Sequence, residues 1–224
     1  MRVAIVSDLH ANLEALRTIA DVLGDADRVI CLGDMIGYYC QVNEVLSVIR
    51  DLGALCIQGN HDRFLFEGCP PSSPPAVVFG VEVASRLITP AHRAWLAELP
   101  LVWGGVVGGR SVLLTHGSPW RPETDYLYAD SPKLTDLDAF DFDLVALGQT
   151  HCPMVRASGR PWIVNPGAVG QSRHRPAVAS AVVWDTEAMV LEPVERPYDP
   201  EPVIALARAH GAGAWVTKHL TEGP

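Results

Sequence analysis

Three times in the first sixty residues a short apolar run stops abruptly at polar residues, and helix-type sequence lies between the runs. Val3-Ala4-Ile5-Val6 ends at Ser7-Asp8-Leu9-His10, Arg28-Val29-Ile30-Cys31-Leu32 ends at Gly33-Asp34, and Leu52 to Gln58 ends at Gly59-Asn60-His61-Asp62. Between the first two, Asn12 reads as the cap of a helix with Leu13, Leu16, Ile19, Ala20 and Leu23 on one face and Gly24 at its end. A second helix is expected from about Val42 to Leu52, with Val45, Leu46 and Ile49 inward. This alternation implies an α/β chain with a parallel or mixed sheet and helices on its faces. In such sheets the carboxyl ends of strands line the binding crevice. Asp8, His10, Asp34, Asn60 and His61 are therefore expected to converge.

The tetrapeptide at 59–62 reads as a tight loop at a strand end. Gly59 permits a backbone that other residues avoid. Asn60 offers a neutral amide oxygen to a hard cation. His61 titrates near neutrality, and Asp62 can fix its tautomer. The plainer alternative is an Asn-His-Asp turn bonded to its own backbone.

The second half changes character. Strands are expected over Leu101-Val102-Trp103, Ser111 to Leu114, Asp143 to Leu147, Pro161 to Val164, Val178 to Trp184 and Met189 to Val194. Two of them end in polar groups, Thr115-His116-Gly117 and Gly148-Gln149-Thr150-His151. The Pro70 to Pro75 run is a stiff connector, followed by helices near 76–88 and 91–99. The acidic stretch 118–140 reads either as a lid or specificity element or as a surface insertion. One helix is expected in the tail, from Pro202 to His210.

With 224 residues, 48% of them hydrophobic and 19% charged, the chain can bury a large core. We read it as one domain, its motifs within about 1–185 and an extension over 186–224. A formal charge of −9 makes nucleic acid an unlikely partner, because phosphate backbones need a positive face. Five cysteines, at 31, 40, 56, 69 and 152, form no CxxC pair and read as reduced thiols of a cytoplasmic protein. No apolar stretch approaches the ~20 residues of a membrane span.

The strand-end groups Asp8, His10, Asp34, Asn60, His61, His116, Gln149 and His151 are carboxylates, imidazoles and amides without a thiolate. Such a set suits Mn²⁺, Fe²⁺, Zn²⁺ or Co²⁺ better than Cu(I) or an iron–sulfur cluster. It is large enough for two ions with one carboxylate between them, the arrangement that activates water against a phosphoryl group.

Taken in order, Ser7-Asp8-Leu9-His10, Gly33-Asp34, Gly59-Asn60-His61-Asp62, Thr115-His116-Gly117 and Gly148-Gln149-Thr150-His151 resemble the motifs of the calcineurin-like metallophosphoesterases, particularly the small bacterial and archaeal phosphodiesterase-like members. Asn165-Pro166-Gly167-Ala168-Val169-Gly170 with Arg173 is similar to their late glycine-rich loop. The resemblance implies a four-layer α-β-β-α sandwich of two mixed sheets. It implies one metal on Asp8, His10, Asp34 and His151, and a second on Asp34 as bridge with Asn60, His116 and Gln149. It puts Mn²⁺ first, with Fe²⁺, Zn²⁺, Co²⁺ or Ni²⁺ as alternatives. The implied nucleophile is a metal-activated hydroxide, with His61 at the leaving oxygen and Asp62 orienting its ring.

Asn12 and Arg173 are the expected substrate-binding residues, and the expected substrate is a small phosphodiester, nucleotides included, or a phosphomonoester. Met35-Ile36-Gly37-Tyr38 after Asp34 departs from the protein phosphatase branch. Gln149 departs from the histidine normal at its position, so the second site is expected to be weak. That departure also supports an alternative: a binding scaffold on the same fold with an impaired second site. Tyr38, Tyr39, Tyr126 and Tyr128 either line a nucleobase pocket or pack. Cys152 is a candidate oxidation sensor, homo-oligomerisation stays open, and His92, His210 and His219 are expected to face solvent.

Overall fold

The computed structural model describes residues 1–222. The chain begins β1 (Arg2–Val6), α1 (Leu13–Thr18), α2 (Ala20–Gly24), β2 (Arg28–Cys31), α3 (Val42–Asp51), β3 (Leu55–Cys56) and α4 (Asn60–Glu67). It continues with α5 (Pro75–Leu87), α6 (Pro90–Ala97), β4 (Val102–Val107), β5 (Arg110–Thr115), a 3-10 helix (Pro132–Ala139), β6 (Leu144–Ala146), β7 (Met154–Arg156) and β8 (Trp162–Asn165). The end is β9 (Val178–Asp185), β10 (Val190–Pro197), α7 (Glu201–Ala209) and α8 (Ala214–Thr221). The strands form two mixed five-stranded sheets, ordered β10-β9-β1-β2-β3 and β4-β5-β6-β8-β7. No helix among the described residues is long and apolar enough to cross a membrane.

Side-chain alternation along the strands builds the layers. Val3, Ile5, Ile30, Leu32, Val182 and Trp184 of the first sheet meet Val112, Leu114, Leu144, Ala146 and Val164 of the second in one buried cluster. The intervening residues Ala4, Val6, Val29, Cys31, Ala181 and Val183 face the other way, onto Leu16, Ile19, Val45, Leu46 and Ile49 of the first helices. On the far side Leu113, Val145 and Ile163 pack against Leu127, Leu134 and Leu137. The fourth layer of the sandwich is thus the 118–140 stretch itself, wound into a 3-10 helix, and not a surface insertion. The tail packs back on the rest: Val203, Ile204, Val216 and Leu220 share a cluster with Tyr38, Tyr39, Val77 and Val83.

Several local expectations change. The helix expected over 12–24 is broken at Ile19, whose ψ of 15° leaves the helical region. Thr18 Oγ1 donates to the Ala15 carbonyl, 2.8 Å away, and competes with the ladder there. The third strand is only two residues long, because Gly53 at φ +60° keeps Leu52 to Ala54 in the turn that ends α3. Glycines 108 and 109 turn β4 into β5 as a hairpin, and β7 and α8 were not expected at all. His92 is buried, not solvent-facing, with Nδ1 3.0 Å from Asn43 Oδ1 and Nε2 3.3 Å from Ser47 Oγ. His210 and His219 are half-buried.

Candidate metal centre

Backbone hydrogen bonds stitch the strand-end loops together before any side chain is considered. Asp8 and His10 N–H donate to the Gly33 and Asp34 carbonyls at 3.0 and 2.9 Å, joining the first two loops. Val169 and Gly170 N–H donate to Ser7 and Asp8 at 3.0 and 2.9 Å, and Gly148 N–H donates to His116 at 2.8 Å. The loops turn so sharply that Asp8, His10, Asp34, Gln149 and His151 all have φ between 48° and 69°. A non-glycine residue held there is strained, and such residues gather where function over-determines the backbone.

The side chains converge as the spacing implied. One ligand atom each from Asp8, His10, Asp34 and His151, all buried, lies within 4.8 Å of the others. His151 Nε2 is 3.2 Å from Asp8 Oδ1, and His10 Nε2 is 3.7 Å from the same oxygen. His116 joins from the second sheet, its Nε2 3.3 Å from Asp34 Oδ2 and 3.7 Å from Asp8 Oδ1. Asp34 Oδ2 is also 3.8 Å from His10 Nε2, so both carboxylates are shared between His10 and His116.

The outer face of each ring decides what the inner face can do. His10 Nδ1 meets the Ile36 carbonyl at 3.0 Å, His116 Nδ1 the Leu32 carbonyl at 2.7 Å, and His151 Nδ1 the Gln171 carbonyl at 2.5 Å. A nitrogen facing a carbonyl must carry the hydrogen, so each neutral ring presents a bare Nε2 lone pair inward. The Nε2 atoms of His10 and His151 are 3.1 Å apart. Two inward lone pairs beside two carboxylates repel one another, and a divalent cation among them relieves that repulsion. Both Asp8 oxygens, His116 Nε2 and Gln149 Oε1 are buried without a hydrogen-bond partner, which a metal site explains and a structural cluster does not. The residues fit the ions that the chemistry of the set implies.

The charges of the cluster show a demand for positive charge, which on His116 opposes the neutral ring. Burial opposes charge on Asp8, but the His151 and His116 rings outweigh it and hold the carboxyl at about 2. Asp34 lies well below its usual range, His116 and His61 again overcoming burial. Burial works against the His116 imidazolium, yet Asp34 and Asp8 push it up to about 10. Burial takes His10 well below 6.5 and His61 down to about 4.

Around this cluster the tetrapeptide is not a loop. Gly59 is the N-cap of α4, and Asn60, His61 and Asp62 form its first turn. Gly59 has φ −98°, which any residue adopts. Glycine is needed because a Cβ would overlap Asp34 Oδ1. His61 N–H donates to that oxygen at 2.8 Å, which fixes the shared carboxylate on the helix N-terminus. Asp62 makes no hydrogen bond to the His61 ring, whose Nδ1 is buried without a partner. Its carboxylate accepts from Gly59, Met35 and Ile36 N–H at 3.0, 3.1 and 3.3 Å, tying α4 to the Gly33–Ile36 loop, and burial followed by Asp34 raises its pKa to about 7.

Asn12 is not free to bind substrate. Its oxygen caps α1 through Ala15 N–H at 3.1 Å, and its amide nitrogen donates to Gly170 O and Tyr198 Oη at 2.8 and 3.0 Å.

A cleft of about 280 Å³ lies beside the cluster, lined by Asn60, His61, Gln149, Tyr38, Tyr126 and Arg173 among others. Gln149 Nε2 donates to the Glu123 carbonyl at 3.4 Å, which leaves its oxygen buried without a hydrogen-bond partner. Burial pushes the Cys152 thiol up, which disfavours the reactive thiolate. Sequence reasoning missed the carbonyls of Leu32, Ile36 and Gln171, which have no side-chain signature, and Glu123, which carried no motif.

The sequence model of the calcineurin-like phosphoesterase superfamily domain matches residues 1–189. The chain belongs to this superfamily. An uncharacterized protein of Methanocaldococcus jannaschii is 29% identical over 242 residues, spanning 99% of this chain and 98% of its own. The crystal structure of a metallophosphoesterase from Sphaerobacter thermophilus is similar over 100% of both chains, at 28% identity and a TM-score of 0.85. A hypothetical protein from Pyrococcus horikoshii shares the fold, with a TM-score of 0.87 over 100% of this chain and 98% of that one, at 18% identity. The buried Asp/His cluster is consistent with the metal site typical of these phosphoesterases.

Proposed function

We propose that this calcineurin-like phosphoesterase hydrolyses a small phosphodiester, nucleotides included, or a phosphomonoester, with two divalent ions, Mn²⁺ foremost. The observation that carries the reading is the buried set of unpartnered ligand atoms on Asp8, His116 and Gln149, the last of which lines an open cleft. Asp8, His10 and His151 would hold one ion and Asn60, His116 and Gln149 the other, with Asp34 available to both. Bound there, the ions would polarise a phosphoryl group and lower the pKa of water towards ~7.

The chain's own residues supply the rest. His61 lines the cleft with Nδ1 buried and unpartnered and Nε2 3.9 Å from Asp34 Oδ2. It is the group in reach to hand a proton to, or stabilise, the leaving oxygen. Asp62 acts behind it, holding the first turn of α4, and so His61, against the Asp34 loop. Arg173 supplies positive charge on the cleft wall for a non-bridging phosphoryl oxygen.

The test is hydrolysis of bis(4-nitrophenyl) phosphate and 4-nitrophenyl phosphate by metal-stripped protein titrated with Mn²⁺. Turnover is expected to depend on the metal and to fall about 10²-fold or more in His61→Ala. A protein that loads metal yet never exceeds the His61→Ala background on either ester is the scaffold instead, with Gln149 as the reason.

A further inference from the structure

We infer that Tyr38 is a positioning residue that holds Arg173 and His61 in one arrangement, so that a tetrahedral oxyanion at the metal centre meets both. The inference rests on the phosphoesterase reading above and concerns the same cleft.

Tyr38 is buried, 5% exposed, although it follows the metal-ligand loop by only four residues and lines the open cleft. Its backbone is left-handed at φ 55°, a conformation that tyrosine does not adopt without compensation. Two glycines supply the room. Gly37 has φ 93°, and a Cβ there would overlap His61 Nδ1. A Cβ on Gly80 of α5 would overlap the Tyr38 amide. The backbone is thus built so that the ring reaches one place.

In that place the ring does two things. It packs against His61 with centroids 4.8 Å apart and meets the edge of His10 at 4.6 Å, so His61 cannot swing away from the shared carboxylate. Its hydroxyl oxygen accepts a hydrogen bond from Arg173 Nη2 at 3.2 Å. Arginine only donates, so the Tyr38 hydroxyl is the acceptor that holds the guanidinium. Arg173 is anchored a second time, its backbone N–H donating to the His151 carbonyl at 3.2 Å. Arg173 is therefore held at its backbone and at its guanidinium, and it lines the same cleft as His61. A planar fork fixed in this way suits the oxygens of a phosphoryl group.

The test measures binding of inorganic phosphate to Mn²⁺-loaded protein by calorimetry, alongside kcat and KM for the better ester and bound metal per chain. The variants are Tyr38→Phe, Arg173→Ala and the two combined. Tyr38→Phe keeps the ring and removes only the bond to Arg173. It is expected to weaken phosphate binding about tenfold, the usual worth of a hydrogen bond to a charged group, and to raise KM with bound metal unchanged. The double variant is expected to bind phosphate no worse than Arg173→Ala, because the hydroxyl acts through the guanidinium. Tyr38→Leu, which removes the ring, is expected to lower kcat as well, by releasing His61. Phosphate affinity unchanged in Tyr38→Phe, or losses that add in the double variant, would overturn the inference and leave the phosphoesterase reading standing. A wild type that loads Mn²⁺ but neither binds phosphate nor cleaves either ester would remove both.

Discussion

Gln149 offers an amide oxygen where the other second-sheet ligands, His116 and His151, offer imidazoles. Its backbone is left-handed as that of His151 is, at φ 69° against 58°, and its oxygen is buried without a hydrogen-bond partner. What it lacks is ligand strength. Gln149→His is expected to tighten the weaker Mn²⁺ site about tenfold or more, read as the second step of metal uptake in equilibrium dialysis. Gly59 makes the complementary case. Its φ of −98° suits alanine, yet a Cβ would overlap Asp34 Oδ1. Gly59→Ala is therefore expected to cost about 1–3 kcal/mol in urea unfolding and, because the displaced carboxylate is shared, to lower affinity at both metal sites. A variant that unfolds earlier but loads metal normally would show that Asp34 relaxes without consequence.

Among the elements, the 118–140 stretch changes meaning most between sequence and structure. Its composition is that of a loop, but Leu127, Leu134 and Leu137 bury against the outer face of the second sheet. Its other side reaches the site: Glu123 is 3.3 Å from Arg63 Nε on α4, and its carbonyl holds Gln149. A lid opens without unfolding the protein, whereas a layer of the sandwich does not. Leu137→Ala is accordingly expected to destabilise the whole chain by about 2–5 kcal/mol in urea unfolding, the range for a fully buried leucine. A loss near zero would return this stretch to the status of a mobile cover. The tail is a similar case, since α7 and α8 pack behind Tyr38 and Tyr39 and Tyr198 holds Asn12.

For the molecule as a whole, folding gathers buried carboxylates and lone pairs at one end of two sheets, in a chain whose formal charge is already −9. Cations that bind this folded cluster and not the unfolded chain must stabilise it. Mn²⁺ at about 100 times its dissociation constant is expected to add ~2.7 kcal/mol per site, seen as a rise in the unfolding temperature that a chelator reverses. No shift at any Mn²⁺ concentration would sink the metal reading of the cluster. The sequence alone determined that Asp8, His10, Asp34, Asn60, His116, Gln149 and His151 lie at strand ends, because apolar runs that stop at polar residues are local signals. The layers followed only from the resemblance of the motifs to the calcineurin-like phosphoesterases, because a continuous apolar run such as Val3 to Val6 signals a buried strand but not what covers it. Only the tertiary structure decided which groups those residues meet. His10 and His151 are 141 positions apart, and their contact depends on sheet order, which no local pattern encodes. The carbonyls that set the histidine tautomers belong to Ile36, Leu32 and Gln171, and a backbone carbonyl looks alike in every residue. For the same reason Asp62 and Asn12 changed roles: their side chains reach backbone groups brought near by packing, before any substrate can claim them.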